Sequence, residues 1–169
     1  MIKILKTGIN VEIIDNFLSD YHFAQIKNLM ISSEKFDWYY NTGINEKNDR
    51  RYQFTHCFFS LYENRRSIYL PLFDSAIQKL RVKNLIRVKA NLNPKTFIKE
   101  KLGYHIDFKD LTTAVYYINS NNGGTKFKCG KFVKSIENRM VIFNSNLSHT
   151  GITCTNENSR VVVNFNYEH

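Results

Sequence analysis

From Leu85 to the C-terminus the chain is a succession of short runs rich in Val, Ile, Thr, Tyr and Phe, with no helical periodicity between them. IRVKANLN, TTAVYYIN, RMVIFN, SHTGITC and RVVVNFNY have the length and the β-branched or aromatic content of strands. The intervening NSNNGG at 119–124 and TNENS at 155–159 carry turn chemistry, with Gly123 and Gly124 expected to supply positive φ. Closed by TNENS, SHTGITC and RVVVNFNY should pair as a hairpin that sets Arg160 opposite Thr153 or Cys154.

The first half reads differently. A short apolar strand over Val11–Ile14 precedes DNFLSDYHFAQIKNLM, where Ser19 is a plausible N-cap for a helix burying Phe23, Ile26 and Leu29 or Met30. A second helix is predicted near Tyr69–Val82, starting around Pro71 and burying Leu72, Ala76 and Leu80. Between them, the polar and mobile-looking NTGINEKNDR at 41–50 separates FDWYY from the aromatic run RRYQFTHCFFSLY. Trp38, Tyr39 and Tyr40 are read as core or lid packing. Helices followed by antiparallel strands imply an α+β fold in which helices buttress one face of a sandwich or small barrel. Two prolines and seven glycines in 169 residues leave no linker-like stretch, so a single domain over 1–169 is expected.

Composition narrows the function classes. The longest apolar run is far below the roughly 20 residues of a membrane helix, and the N-terminal MIKILKTGINVEIID is interrupted too soon for a signal peptide. A soluble, cytoplasmic protein, monomeric or weakly self-associating, is expected. Cys57, Cys129 and Cys154 lack metal-site or disulfide-framework spacing and are read as reduced, mostly buried residues. The net charge of +9 fits either an anionic partner or an Asn-, Lys- and Ile-rich composition.

The chemistry-bearing residues lie in the β-rich half. In Tyr104-His105-Ile106-Asp107-Phe108, alternation of an extended chain puts His105 and Asp107 on one face. His149, on a later strand, supplies a second imidazole, and the 41 intervening residues leave room for two or three strands. Two histidines and one carboxylate are the facial triad of non-haem Fe(II) oxygenases, which keeps open coordination positions. Alternation on the last strand turns Val161, Val163, Phe165 and Tyr167 toward the helices and Arg160, Val162, Asn164 and Asn166 inward. An inward arginine needs an anion, and a five-carbon diacid chelating the metal could span the distance to it.

With these residues in place, the chain resembles the 2-oxoglutarate/Fe(II)-dependent dioxygenases of the prolyl 4-hydroxylase type. The resemblance rests on HxD, the later His and the Arg about ten residues beyond, on TTAVYYINSNNGGTKF, and on NRMVIFNSNLSHTG. It covers roughly 85–167, with a looser match in IIDNFLS and the following helix. It implies a double-stranded β-helix (jelly-roll, cupin-like) with a catalytic core at 85–167 and a supporting part at 1–84. It further implies Fe(II) on His105, Asp107 and His149, 2-oxoglutarate on Arg160, Tyr117 and Asn91, and O2 as oxidant, with succinate and CO2 released. Hydroxylation of a protein or peptide side chain, proline first, is the implied activity. The same chemistry on a nucleic acid or a small molecule, or a non-catalytic β-sandwich binding module, are the alternatives. Two departures stand out: prolyl 4-hydroxylases often carry lysine at the Arg160 position, and AlkB-type demethylases carry a second arginine where this chain has Asn166.

Other candidates have plainer readings. His22 and His169 are read as surface groups, and His56 as a hydrogen-bonded core histidine or a substrate contact. Lys95, Lys99 and Lys101 precede His105 and could border the mouth of the site.

Overall fold

The computed structural model describes residues 10–44 and 51–169; the first nine residues and 45–50, most of the polar 41–50 segment, lie outside them. Eleven strands are described: β1 (Val11–Ile14), β2 (Tyr39–Thr42), β3 (Tyr52–Ser60), β4 (Arg65–Arg66), β5 (Asn84–Pro94), β6 (Thr112–Tyr117), β7 (Gly124–Phe127), β8 (Phe132–Lys134), β9 (Arg139–Asn144), β10 (His149–Ile152) and β11 (Ser159–Glu168). The helices are α1 (Asp20–Lys27) and α2 (Asp74–Lys79). All pairings are antiparallel. One sheet runs β1-β9-β6-β11-β5-β3-β2, with β4 attached to β3, and a smaller one runs β10-β7-β8.

Alternation along β11 builds two interiors. Val161, Val163, Phe165 and Tyr167 join Phe17, Phe23, Ile26, Phe73 and Leu80 in the core between the large sheet and the helices. From the other face Val162 joins Val115, Tyr117, Phe127, Val133, Val141 and Phe143, drawn from both sheets. Ser19 caps α1, its hydroxyl accepting from the His22 backbone N–H, and Phe23, Ile26 and Met30 are buried. The second helix is shorter than its periodicity predicts. Leu70–Phe73 forms a tighter turn carrying Pro71, and only Asp74–Lys79 is α-helical.

Several expectations are corrected. Four strands, not two or three, lie between Asp107 and His149. The 149–167 region is not a hairpin: β10 pairs with β7, β11 pairs with β5 and β6, and Arg160 stands opposite Asn93. The TNENS segment instead crosses between sheets, held by bonds from the Asn122 N–H to Asn156 Oδ1 (2.8 Å) and from the Thr155 N–H to Asn122 Oδ1 (2.9 Å). Neither Gly123 nor Gly124 adopts positive φ. Their role is steric, since a Cβ would lie 2.5 Å from the Ile152 carbonyl oxygen at Gly123 and 2.2 Å from that of Val133 at Gly124. Trp38 packs on the core, but Tyr39 and Tyr40 are exposed on the edge strand β2. Of the cysteines only Cys154 is buried; Cys57 is half-buried and Cys129 exposed. No helix among the described residues is long and apolar enough to cross a membrane.

Candidate active site

His149 opens β10, and His105 pairs with it through reciprocal backbone hydrogen bonds of 3.0 Å that extend the small sheet by one bridge. Their rings lie 4.6 Å apart. The chain then bends, and Asp107 is received by the large sheet: Oδ2 accepts from Thr113 Oγ1 (β6) and Asn166 Nδ2 (β11), each at 3.2 Å. The ligand atoms of His105, Asp107 and His149 lie within 4.8 Å of one another, the only such His/Cys/Asp/Glu group among the described residues.

The imidazoles are oriented for coordination. His149 Nδ1 is bonded to the Leu147 carbonyl (2.9 Å) and His105 Nδ1 to that of Gly103 (3.2 Å). This puts the proton on Nδ1 and leaves the Nε2 lone pairs facing Asp107, at 3.9 and 3.6 Å. Burial pulls His149 below its ordinary pKa, which favours the neutral imidazole a metal needs. Burial alone would raise the Asp107 pKa. The neighbouring His105 and His149 imidazoles and the Arg87 guanidinium outweigh it and hold the carboxyl well below the usual carboxylate range. A borderline or hard divalent cation fits this N2O donor set.

Behind the carboxylate lies a network that sequence reasoning did not identify. Thr113 Oγ1 is 3.0 Å from Ser145 Oγ and accepts from Asn166 Nδ2 at 3.0 Å, while Asn166 Oδ1 accepts from Arg87 Nε at 3.1 Å. Arg87 also faces Asp107 at 3.6 Å and lies over the Phe108 ring. The inward alternation of β11, which turns Asn166 toward the interior, is the one signal of this network in the sequence.

Arg160 is 3% exposed. It reaches the site across the interior rather than along a ladder: Nη1 lies 3.4 Å from where a Cβ on Gly151 would stand. Nη2 donates to Thr125 Oγ1 (3.3 Å), the guanidinium lies over the Tyr117 ring, and Nε has no partner. No carboxylate pairs with Arg160 among the described residues. Tyr117 donates to the same Thr125 oxygen at 2.7 Å, so both lone pairs of that hydroxyl are engaged and its proton is free to donate into the cavity. A buried guanidinium with an orphaned N–H beside a free hydroxyl proton fits the far carboxylate of a dicarboxylic keto acid.

One cavity of about 330 Å³ joins these groups, lined among others by His105, Asp107, His149, Arg160, Thr125 and Asn91. Its volume is at the small end of the roughly 300–1,000 Å³ typical of ligand sites. Tyr117 is not among the lining residues and stands behind Thr125. Lys89 lines the cavity without an ion-pair partner among the described residues, and burial, then Arg87, pulls its pKa below the ordinary value. His56 lies elsewhere: its ring nitrogens bond the Asp37 carbonyl (2.8 Å) and Ser67 Oγ (3.0 Å), so it is a core histidine. His22 and His169 are exposed, as are Lys95, Lys99 and Lys101.

No family model and no curated protein matches the sequence. The structure matches a 2OG-Fe(II) oxygenase family oxidoreductase from Burkholderia pseudomallei with a TM-score of 0.69 at 13% identity, over 96% of this chain and 87% of that one. HygX from Streptomyces hygroscopicus, solved with nickel and 2-oxoglutarate bound, matches at 0.63 and 10% identity, over 95% and 83%. A Trichoplax adhaerens prolyl hydroxylase, solved with a hypoxia inducible factor oxygen degradation domain peptide, matches at 0.62 and 16% identity, over 95% and 84%. The chain therefore has the double-stranded β-helix fold of the 2-oxoglutarate/Fe(II) oxygenases.

Proposed function

We propose that the protein is a 2-oxoglutarate/Fe(II)-dependent dioxygenase that hydroxylates a protein or peptide side chain, with proline as the leading substrate residue. The carrying observation is the convergence, in one cavity, of a His105–Asp107–His149 donor set with a buried arginine that lacks an anion. The peptide substrate draws on the prolyl hydroxylase among the structural neighbours. In this reading 85–167 is the catalytic core and 1–84 supports it.

Iron and 2-oxoglutarate, when bound, supply the oxidising power for C–H hydroxylation, with release of succinate and CO2. The protein's residues fix geometry. His105 and His149 would present Nε2 to the metal, since backbone carbonyls hold their Nδ1 atoms. Thr113 and Asn166 hold Asp107 in its rotamer. Arg160 and Thr125 would take the far carboxylate, and Tyr117 positions Thr125. No dedicated acid or base is needed, since the cofactor carries the hard step while the side chains orient it.

Anaerobic addition of Fe(II) and 2-oxoglutarate should give a visible metal-to-ligand charge-transfer band that His105→Ala and Asp107→Ala abolish. A folded wild-type protein without the band would refute the assignment and leave the binding-module reading. Turnover of a peptide library followed by mass spectrometry tests the substrate.

A further inference from the structure

The inward face of β5 carries two cations. Ile86, Val88 and Ala90 are buried, Val88 and Ala90 against the helix-side core, while Arg87, Lys89, Asn91 and Asn93 line the cavity. Lys89 stands opposite Asn164 on β11 and Cys57 on β3, so no acidic residue flanks it on either neighbouring strand. Along the strand it is roughly 7 Å from Arg87. Glu63 and Asp107 act on it only from beyond ion-pair distance, and a half-buried ammonium with no carboxylate in contact is costly to hold in a cavity unless something anionic enters.

The loaded centre does not supply that anion. Charge would balance without Lys89: the far carboxylate of the keto acid would answer Arg160, while its near carboxylate and Asp107 would together offset the two charges of a ferrous ion. Arg87 and Lys89 are left over. Arg87 is held by Asn166, Asp107 and Phe108, which leaves Lys89 as the cation free to meet a further ligand. We propose that Lys89, seconded by Arg87, recognises a carboxylate on the primary substrate, so that the group presented to the metal belongs to an acidic molecule or lies beside an acidic residue. A single carboxylate matches this cavity better than a nucleic-acid backbone does, because a run of phosphodiesters is tracked by an open groove of many cations, and here the cations sit inside one small cavity. The inference rests on the oxygenase reading of the same site.

The test uses the protein loaded with redox-inert Zn(II) and saturating 2-oxoglutarate. Calorimetric titration would compare acetate, N-acetylglutamate amide, its glutamine counterpart and dimethyl phosphate, and nuclear magnetic resonance would follow the Lys89 ammonium. The acidic probes should bind at least tenfold more tightly than the glutamine compound and shift the Lys89 signal. Lys89→Met should lose that preference while retaining 2-oxoglutarate. Capped glutamate binding more tightly than acetate would assign the carboxylate to a peptide; equal binding would assign it to a free small acid. No binding of acidic probes, equal affinity for the neutral one, a preference that survives Lys89→Met, tighter binding of dimethyl phosphate, or loss of 2-oxoglutarate in that variant would each overturn the proposal. If the anion preference is intact but the Fe(II)/2-oxoglutarate band is absent, the oxygenase reading alone fails.

Discussion

Arg160→Met should make the ligand-free protein more stable and leave it unable to respond to 2-oxoglutarate. Arginine at this position is 3% exposed, has an unpartnered Nε and makes one long hydrogen bond, to Thr125 at 3.3 Å. Enclosing an uncompensated ion costs several kcal/mol even after relaxation, whereas the bond to Thr125 returns on the order of 1 kcal/mol. Methionine keeps much of the apolar stem and its packing on Tyr117. The balance is a gain of about 1–3 kcal/mol, which at roughly 2–4 °C per kcal/mol for a chain of this size raises Tm by about 2–12 °C. Wild type should in turn gain about 2.7 kcal/mol at a cosubstrate concentration a hundred times Kd, and the variant should gain nothing. Thermal unfolding by circular dichroism, with and without 2-oxoglutarate and Mn(II), reads both effects. A variant that is destabilised like an ordinary core substitution and is still stabilised by 2-oxoglutarate would refute the view of Arg160 as a cation waiting for its anion.

Three further outcomes are expected. Asn166→Leu removes a donor to Asp107 and Thr113 and an acceptor for Arg87, and should weaken metal binding by about 10–100-fold with the fold intact; chelator competition measures it, and unchanged affinity would dismiss the network as incidental. Gly124→Ala would drive a Cβ to 2.2 Å from the Val133 carbonyl oxygen and should lower stability by about 3 kcal/mol, visible in urea unfolding; a neutral effect would mean that β7 and β8 can move apart freely. The Asp15 carboxyl is held below its ordinary pKa mainly by the Arg139 hydrogen bonds, at 2.5 and 2.9 Å. Because the folded-state value is the lower one, the pair adds stability above the usual carboxylate range and loses it as pH falls through the depressed value. Asp15→Asn should therefore flatten Tm against pH at the acid end, by under about 1 kcal/mol for so exposed a pair; an unaltered acid limb would contradict the assignment.

Period-two alternation made the two faces of β11 legible, including the inward Arg160, because Val161, Val163, Phe165 and Tyr167 alternate with the polar Arg160, Asn164 and Asn166. That His105, Asp107 and His149 come together was legible from the H-x-D alternation and from the scarcity of histidine, five in the chain. Strand partners were not. Short turns suggest hairpins, and nothing local in TNENS distinguishes a tight turn from a crossing between sheets; the difference lies in Asn122, some 33 residues away in sequence. The glycine pair was recognised as special, but for the wrong cause, since crowding by a carbonyl from another strand leaves no trace in neighbouring residues. Thr113, Ser145 and Thr125 were missed because a hydroxyl that orients a ligand has the same composition signature as one that merely fills a strand.

The three donors are mounted on opposite leaves of the sandwich, with both imidazoles on the three-stranded leaf and the carboxylate anchored to the eight-stranded one. In the proposed oxygenase, chelation would act as a rivet through the molecule. Filling the centre would fasten the two leaves at one end of their shared interior, so amide exchange in β7, β8 and β10 should slow together upon loading.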